Sequence, residues 1–102
     1  MEIKYNIAKD NLYIYLYGEL DEYSAQGARQ TLDNLLDANI NIKKVVFNFA
    51  NMSFMDSTGI GVLIGRYKKL KKIGIPVFIQ SPGTNIEKIL QLSGLYEVMP
   101  KI

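Results

Sequence analysis

Along the first twenty residues, apolar side chains recur at every second position. Ile3, Tyr5 and Ile7 set the rhythm, Lys9, Asp10 and Asn11 interrupt it, and Leu12, Ile14 and Leu16 resume it. A period of two marks strands buried on one side. Two such strands separated by so short a turn predict an antiparallel hairpin over residues 2–8 and 12–17. Tyr13, Tyr15 and Tyr17 fall on the face opposite the leucines and isoleucine. Amphipathic rings there suit a partly covered strand, and they suit a binding face as well.

The rhythm then changes. From 23 to 38, Ala25, Ala28, Leu32, Leu35 and Leu36 form one stripe at helical spacing, with Asp21 as the expected N-cap. Residues 45–49, Val-Val-Phe-Asn-Phe, read as a short central strand. A second helix is predicted from about Ser57 to Ile73, with Ile60, Leu63, Tyr67 and Leu70 on one face. Lys68, Lys69, Lys71 and Lys72 spread over the other face, and Gly74 and Pro76 mark the stop. Residues 75–80 give another strand. Thr84 and Glu87 have capping-box spacing and open a third helix carrying Ile86, Ile89 and Leu90, which ends near Gly94. Residues 95–99 are expected to form a last short strand.

The order β-β-α-β-α-β-α-(β) predicts an α/β fold with a mixed sheet. Its opening hairpin is antiparallel, its later β-α-β units are parallel, and its helices pack mainly on one face. No repeat, linker or low-complexity stretch interrupts the 102 residues, so the expectation is one domain over 1–102.

Composition narrows the chemistry. Apolar residues make up 48% and charged residues 22%, close to globular averages. The formal charge of +2 is too mild to argue for nucleic acid or an anionic membrane. Lysines late in a helix favour its C-terminal dipole, so the 68–72 cluster reads as a solvated face. There is no Cys and no His, which removes thiol nucleophiles, imidazole metal sites and Ser-His-Asp catalysis. The expectation is a protein that is not an enzyme and needs no cofactor or metal. The N-terminus has no secretory pattern and no apolar run approaches a membrane span, which leads to the expectation of a cytoplasmic protein without a membrane partner.

One segment is chemically unusual: Phe54-Met55-Asp56-Ser57-Thr58-Gly59-Ile60-Gly61. It sets hydroxyls and a carboxylate at a strand-to-helix turn and glycines in the first helical turns. Glycine inside a helix costs about 1 kcal/mol relative to alanine, so Gly59, Gly61 and Gly65 call for a close backbone approach or an external partner. The glycine spacing does not match a dinucleotide or Walker loop. Small residues at 61 and 65 are four apart and suit close packing of the helix on the sheet, with Asp56 or Ser57 as a plain N-cap. A different use is a regulated hydroxyl. Phosphorylation of Ser57 adds roughly −1.5 to −2 charges at a helix N-terminus, which tolerates them.

Gly18-Glu19-Leu20-Asp21, the segment 53–61, Gly65-Arg66-Tyr67-Lys68 and Ser93-Gly94-Leu95 together resemble the STAS-domain anti-sigma-factor antagonists. Within that family they resemble the antagonists of the anti-sigma F factor of endospore-forming bacteria. The resemblance implies a partner-switching protein. Its unphosphorylated form binds an anti-sigma factor that is also an ATP-using serine kinase, and this releases a sporulation sigma factor. Phosphorylation ends the binding and a serine phosphatase restores it. Carried over residue by residue, Ser57 is the phosphoacceptor, Asp56 its acidic neighbour and Asp21 the acidic residue of the adjoining loop. Gly59, Ile60 and Gly61 belong to the helix start that meets the partner. Thr58 stands where close relatives often carry a second serine, and it joins the partner-binding set. The alternative is a ligand-sensing or transport-associated STAS domain that binds a nucleotide or anion at the helix start over 56–61.

Overall fold

The computed structural model describes residues 1–102. Its elements are β1 (Glu2–Ala8), β2 (Asn11–Leu20), α1 (Ala25–Asp37), β3 (Lys44–Asn48), β4 (Met52–Met55), α2 (Ser57–Lys72), β5 (Val77–Gln80) and α3 (Thr84–Ser93), followed by a 3₁₀ turn at Leu95–Glu97. The hairpin forms as expected, in unbroken register from Glu2 opposite Tyr17 to Ala8 opposite Asn11. Lys9 and Asp10 make its two-residue turn, both with positive φ (52° and 65°). That is the type I′ geometry whose twist matches the flanking strands.

Strands run in the order β1-β2-β3-β5, with β2–β3 and β3–β5 parallel. The long β2 has two successive neighbours along the same side. Its first half pairs with β3, and its last residues pair with β4, with Gly18 opposite Met52 and Leu20 opposite Met55. The register shifts between Gly18 and Glu19, where Gly18 adopts φ +98°. Only glycine takes that conformation without strain.

The helices cover one face of the sheet. Leu12, Ile14 and Leu16 point into a core shared with Ala28 and Leu32 of α1, Leu63 and Leu70 of α2, and Ile86 and Leu90 of α3. Tyr13, Tyr15 and Tyr17 lie on the other face, half-buried. Val46 is fully buried but stands outside that core, as its place opposite Tyr13 and Phe78 on the tyrosine side requires. On the same face Lys4 sits 5.3 Å from the centre of the Tyr17 ring and Lys44 5.5 Å from that of Phe78. Both separations are within cation–π reach.

Several local expectations are corrected. Residues 52–55 form a strand that the alternation did not announce. Residues 95–99 are not a strand: they hold the 3₁₀ turn, and the chain reaches the sheet only at Lys101, which bridges to Ile79. Thr84 and Glu87 make no capping box. Gly83, which has no side chain to cap with, occupies the N-cap position, so Thr84 is already inside the helix and Glu87 lies one place beyond the box position. The Glu87 carboxylate pairs with Lys101 at 3.1 Å. Lys69 leaves the solvated face and reaches α1, at 2.7 Å from Asp37 and 3.5 Å from Asp33. The mostly buried Arg66 lies 3.1 Å from the same Asp33, so charge as well as apolar packing joins α1 to α2. Gly74 and Gly94 do end their helices with positive φ, as expected. No helix is long and apolar enough to cross a membrane.

Candidate functional site

The parallel pairing of β2 with β4 builds the site. Leu20 and Met55 are register partners, so the residues that follow them, Asp21 and Asp56, leave the sheet side by side at the carboxyl ends of the strands. Ligands and partners of open α/β sheets gather at such ends. Asp56 is the single residue between β4 and α2, and the helix therefore starts at a position fixed by the sheet.

Asp56 is the N-cap of α2. Its Oδ1 accepts a hydrogen bond from the Gly59 N–H at 3.1 Å, and its carbonyl accepts from Ile60 N–H at 3.1 Å. An α-helix leaves its first N–H groups without intrahelical partners. Asp56 satisfies the one on Gly59. Ser57, the first helical residue, is exposed and takes no part in the cap, while Thr58 is half-buried.

Gly59 is buried for a definite reason. A Cβ there would come 2.5 Å from the Leu20 carbonyl oxygen and 2.6 Å from Met55 Cγ. The close backbone approach expected somewhere in this helix is made here, against β2. Gly61 and Gly65 have nothing within 4 Å of a built Cβ, so the idea that the 61/65 pair lets the helix lie close is corrected. Gly61 is exposed and Ile60 half-buried beside it.

On the adjoining loop Asp21 does not cap α1 itself. The helix begins at Ala25 with Ser24 in the N-cap position, and Asp21 caps the turn ahead of it. Its Oδ1 accepts from the N–H groups of Tyr23 and Ser24, both at 3.0 Å, while Ser24 Oγ accepts from Asp21 N–H at 3.0 Å. The backbone bond from Ser24 does most to hold the Asp21 carboxyl below its ordinary pKa of 3.8; desolvation opposes it, and the bond from Tyr23 adds to the lowering. The loop that leaves the sheet next to Asp56 therefore carries a carboxylate whose ionised form its own backbone favours.

The sequence missed the apolar half of the site. A shallow groove of about 370 Å³ runs from Ser57 between α2 and α3, walled by Met55, Ile60, Ile89 and Leu92. Leu92 is 89% exposed and nearby Phe54 is 48% exposed. Leu92 falls off the buried stripe of Ile86 and Leu90, a signal available in the helical spacing. Phe54 gave none, since its strand was not foreseen.

The STAS domain profile matches residues 2–102. The chain belongs to the STAS domain family. It is 32% identical over 89 residues to an anti-sigma F factor antagonist of Paenibacillus polymyxa, spanning 87% of this chain and 75% of that protein. It is 26% identical over 99 residues to an anti-sigma-B factor antagonist of Bacillus subtilis (strain 168), spanning 97% and 86%. Among solved structures, the anti-sigma factor antagonist SpoIIAA in its unphosphorylated form superposes with a TM-score of 0.80 at 25% identity, over 99% of this chain and 88% of that one. The phosphorylated form of the Bacillus SpoIIAA superposes with a TM-score of 0.72 at 25% identity, over 99% and 91%. The STAS mixed sheet with its one-sided helices is thus the fold, and the family branch is that of the anti-sigma-factor antagonists.

Proposed function

We propose that this chain binds an anti-sigma factor that is also a serine kinase, and that phosphorylation of Ser57 by that kinase ends the complex. The kinase brings its own ATP, and a serine phosphatase resets the switch. In this reading the sigma factor set free is a sporulation factor, in line with the anti-sigma F antagonist relatives. The observation that carries the proposal is the exposed Ser57 hydroxyl at the start of a helix whose cap is already supplied by Asp56. The hydroxyl is thus open to modification without loss of the cap.

The partner surface in this reading comprises Ser57, Thr58, Ile60, Gly61 and the two carboxylates Asp21 and Asp56, while Gly59 supports it from below. The apolar wall of Ile89 and Leu92 extends the contact beyond the polar helix start. Such a surface pairs a small charged patch with an apolar one, so adding phosphate acts through charge and desolvation. At an effective dielectric of about 20, two unit charges 4 Å apart repel by about 4 kcal/mol. A net cost of about 3 kcal/mol weakens binding roughly a hundredfold, enough for a switch without refolding.

The decisive experiment incubates the protein with its cognate anti-sigma kinase and ATP. Wild type is expected to take up one phosphate and Ser57→Ala none. Equal labelling of Ser57→Ala would remove the site assignment and move attention to Thr58. Calorimetry supplies a second arm: Ser57→Asp is expected to bind the kinase at least tenfold more weakly than Ser57→Ala. Nucleotide bound tightly by this chain alone, without any kinase, favours the ligand-sensing alternative instead.

A further inference from the structure

The two ends of the β1-β2-β3-β5 path are treated differently. At the β5 edge the C-terminal residues cover the strand: Ile79 N–H donates to the Pro100 carbonyl at 2.9 Å, and Ile79 C=O accepts from Ile102 N–H at 2.8 Å. At the other edge β1 pairs only with β2. It has seven residues in regular register, with no proline and no bulge. Those are two of the devices by which natural sheets protect an open edge; the strand's one lysine, Lys4, lies over the Tyr17 ring on the tyrosine face.

The hairpin turn fixes which groups this edge presents. In a two-residue hairpin the residues flanking the turn, here Ala8 and Asn11, form a hydrogen-bonded pair, and bonded and non-bonded pairs then alternate. Asn6, Lys4 and Glu2 accordingly bond to β2. Ile3, Tyr5 and Ile7 point their N–H and C=O groups away from the sheet. The same three side chains lie on the core side, opposite Leu16, Ile14 and Leu12, yet the helices leave Tyr5 55% and Ile7 48% exposed. Unpaired backbone and uncovered apolar surface thus coincide on one strand.

We infer that this edge is occupied by the β1 strand of a second copy of the chain, antiparallel and centred on Tyr5. That register sets Ile3 against Ile7 of the second copy, Tyr5 against its own counterpart and Ile7 against Ile3. All three are pairs of outward-facing residues, so each can exchange both backbone bonds. On the opposite face Lys4 meets Asn6, and Glu2 meets Ala8, so no like charges oppose. Shifting the strands by two residues sets Lys4 against Lys4, which repels, or leaves an outward residue without a partner. The strand is therefore self-complementary in one register, as a two-fold interface requires. The result is one continuous sheet across both copies, with the helices of both on the same side.

The test uses the full-length protein in light scattering coupled to size exclusion. Wild type is expected to approach twice the chain mass of 11.6 kDa as its concentration rises. Tyr5→Lys sets like charges across the two-fold and is expected to stay monomeric at ten times the concentration where wild type is half dimeric. Tyr5→Pro removes only an outward N–H, a place where edge strands accept proline, and is expected to do the same. Unchanged circular dichroism of Tyr5→Lys keeps the result interpretable if the proline variant unfolds. The chain has no cysteine, so Tyr5→Cys reports the register directly. Paired residues of this kind have Cα atoms about 5.5 Å apart, within disulfide range, and oxidation is expected to link two copies. Ile7→Cys, about four residues (roughly 13 Å) from its counterpart along the strand, is expected not to link. A wild type that stays monomeric at several hundred micromolar overturns the inference, as does a dimer that survives Tyr5→Lys.

Discussion

Asp21 and Asp56 follow the register partners Leu20 and Met55 out of the sheet, each ahead of a helix, and their carboxylates serve different structures. Asp56 belongs to the helix: one residue of linker, one bond to Gly59, and α2 begins. Asp21 belongs to a turn, locked with Ser24 by reciprocal bonds before α1 starts at Ala25. The first arrangement lets the sheet dictate where Ser57 stands. The second makes a self-contained loop whose charge is held in place by its own backbone. A switch built here has a hydroxyl on a backbone anchored by the sheet on one side and a fixed negative charge on the other.

The sharpest way to break this contrast is to disturb the contact on which the α2 start rests. Gly59→Ala sets a methyl 2.5 Å from the Leu20 carbonyl oxygen, and a backbone atom cannot swing aside as a side-chain tip can. The expected loss is about 2–3 kcal/mol after the small helix-propensity gain, measured by urea unfolding. Gly61→Ala, two residues along the helix, meets nothing within 4 Å and is expected to stabilise by about 1 kcal/mol. If both variants shift stability equally, the anchoring of α2 on β2 is not what sets its start.

The same contrast shows what the sequence disclosed. Alternation and helical spacing exposed the hairpin, the three helices and most of the core, since Leu12 to Leu16 and Ala25 to Leu36 bury on regular periods. Ser57 was legible too, as a hydroxyl between a carboxylate and glycines. β4 was not, because its four residues bury only the two ends, Met52 and Met55, and its partner is distant in sequence and reached across a bulge. Without β4 neither the pairing that brings Asp21 beside Asp56 nor the position of Phe54 could be read. Glu87 failed as a capping residue because the helix starts one residue early: Gly83 takes the N-cap position, and its carbonyl accepts from Glu87 N–H at 2.8 Å.

A smaller effect separates the two aspartates directly. Asp56→Ala removes the side-chain cap of α2 and is expected to cost about 1 kcal/mol, while Asp56→Asn, which keeps an acceptor oxygen, is expected to recover most of it. Because the cap positions Ser57, the proposed phosphorylation by an anti-sigma kinase should also be slower in the alanine variant than its stability loss explains. Labelling rates compared at a temperature where both variants remain folded provide the check. Equal rates would mean that the kinase, not the cap, orders the helix start.

The smallest expected effect is the pH dependence that Asp21 confers. Its carboxyl is held below 3.8 in the folded chain by the Ser24 and Tyr23 amides, whereas the unfolded chain has the ordinary aspartate value of about 3.9. Between those two values the unfolded state binds more protons, so stability rises with pH. The contribution is complete above the unfolded value and disappears as pH falls through the folded one. Asp21→Asn keeps an acceptor for the same two N–H groups but carries no charge. The stability gap between wild type and Asp21→Asn should thus stay constant from pH 7 to about 5 and close below about 4. Urea midpoints taken at intervals from pH 7 to pH 2 measure that gap. One that stays the same down to pH 2 would mean that the loop is held by its geometry alone and that Asp21 is not the fixed charge beside Ser57.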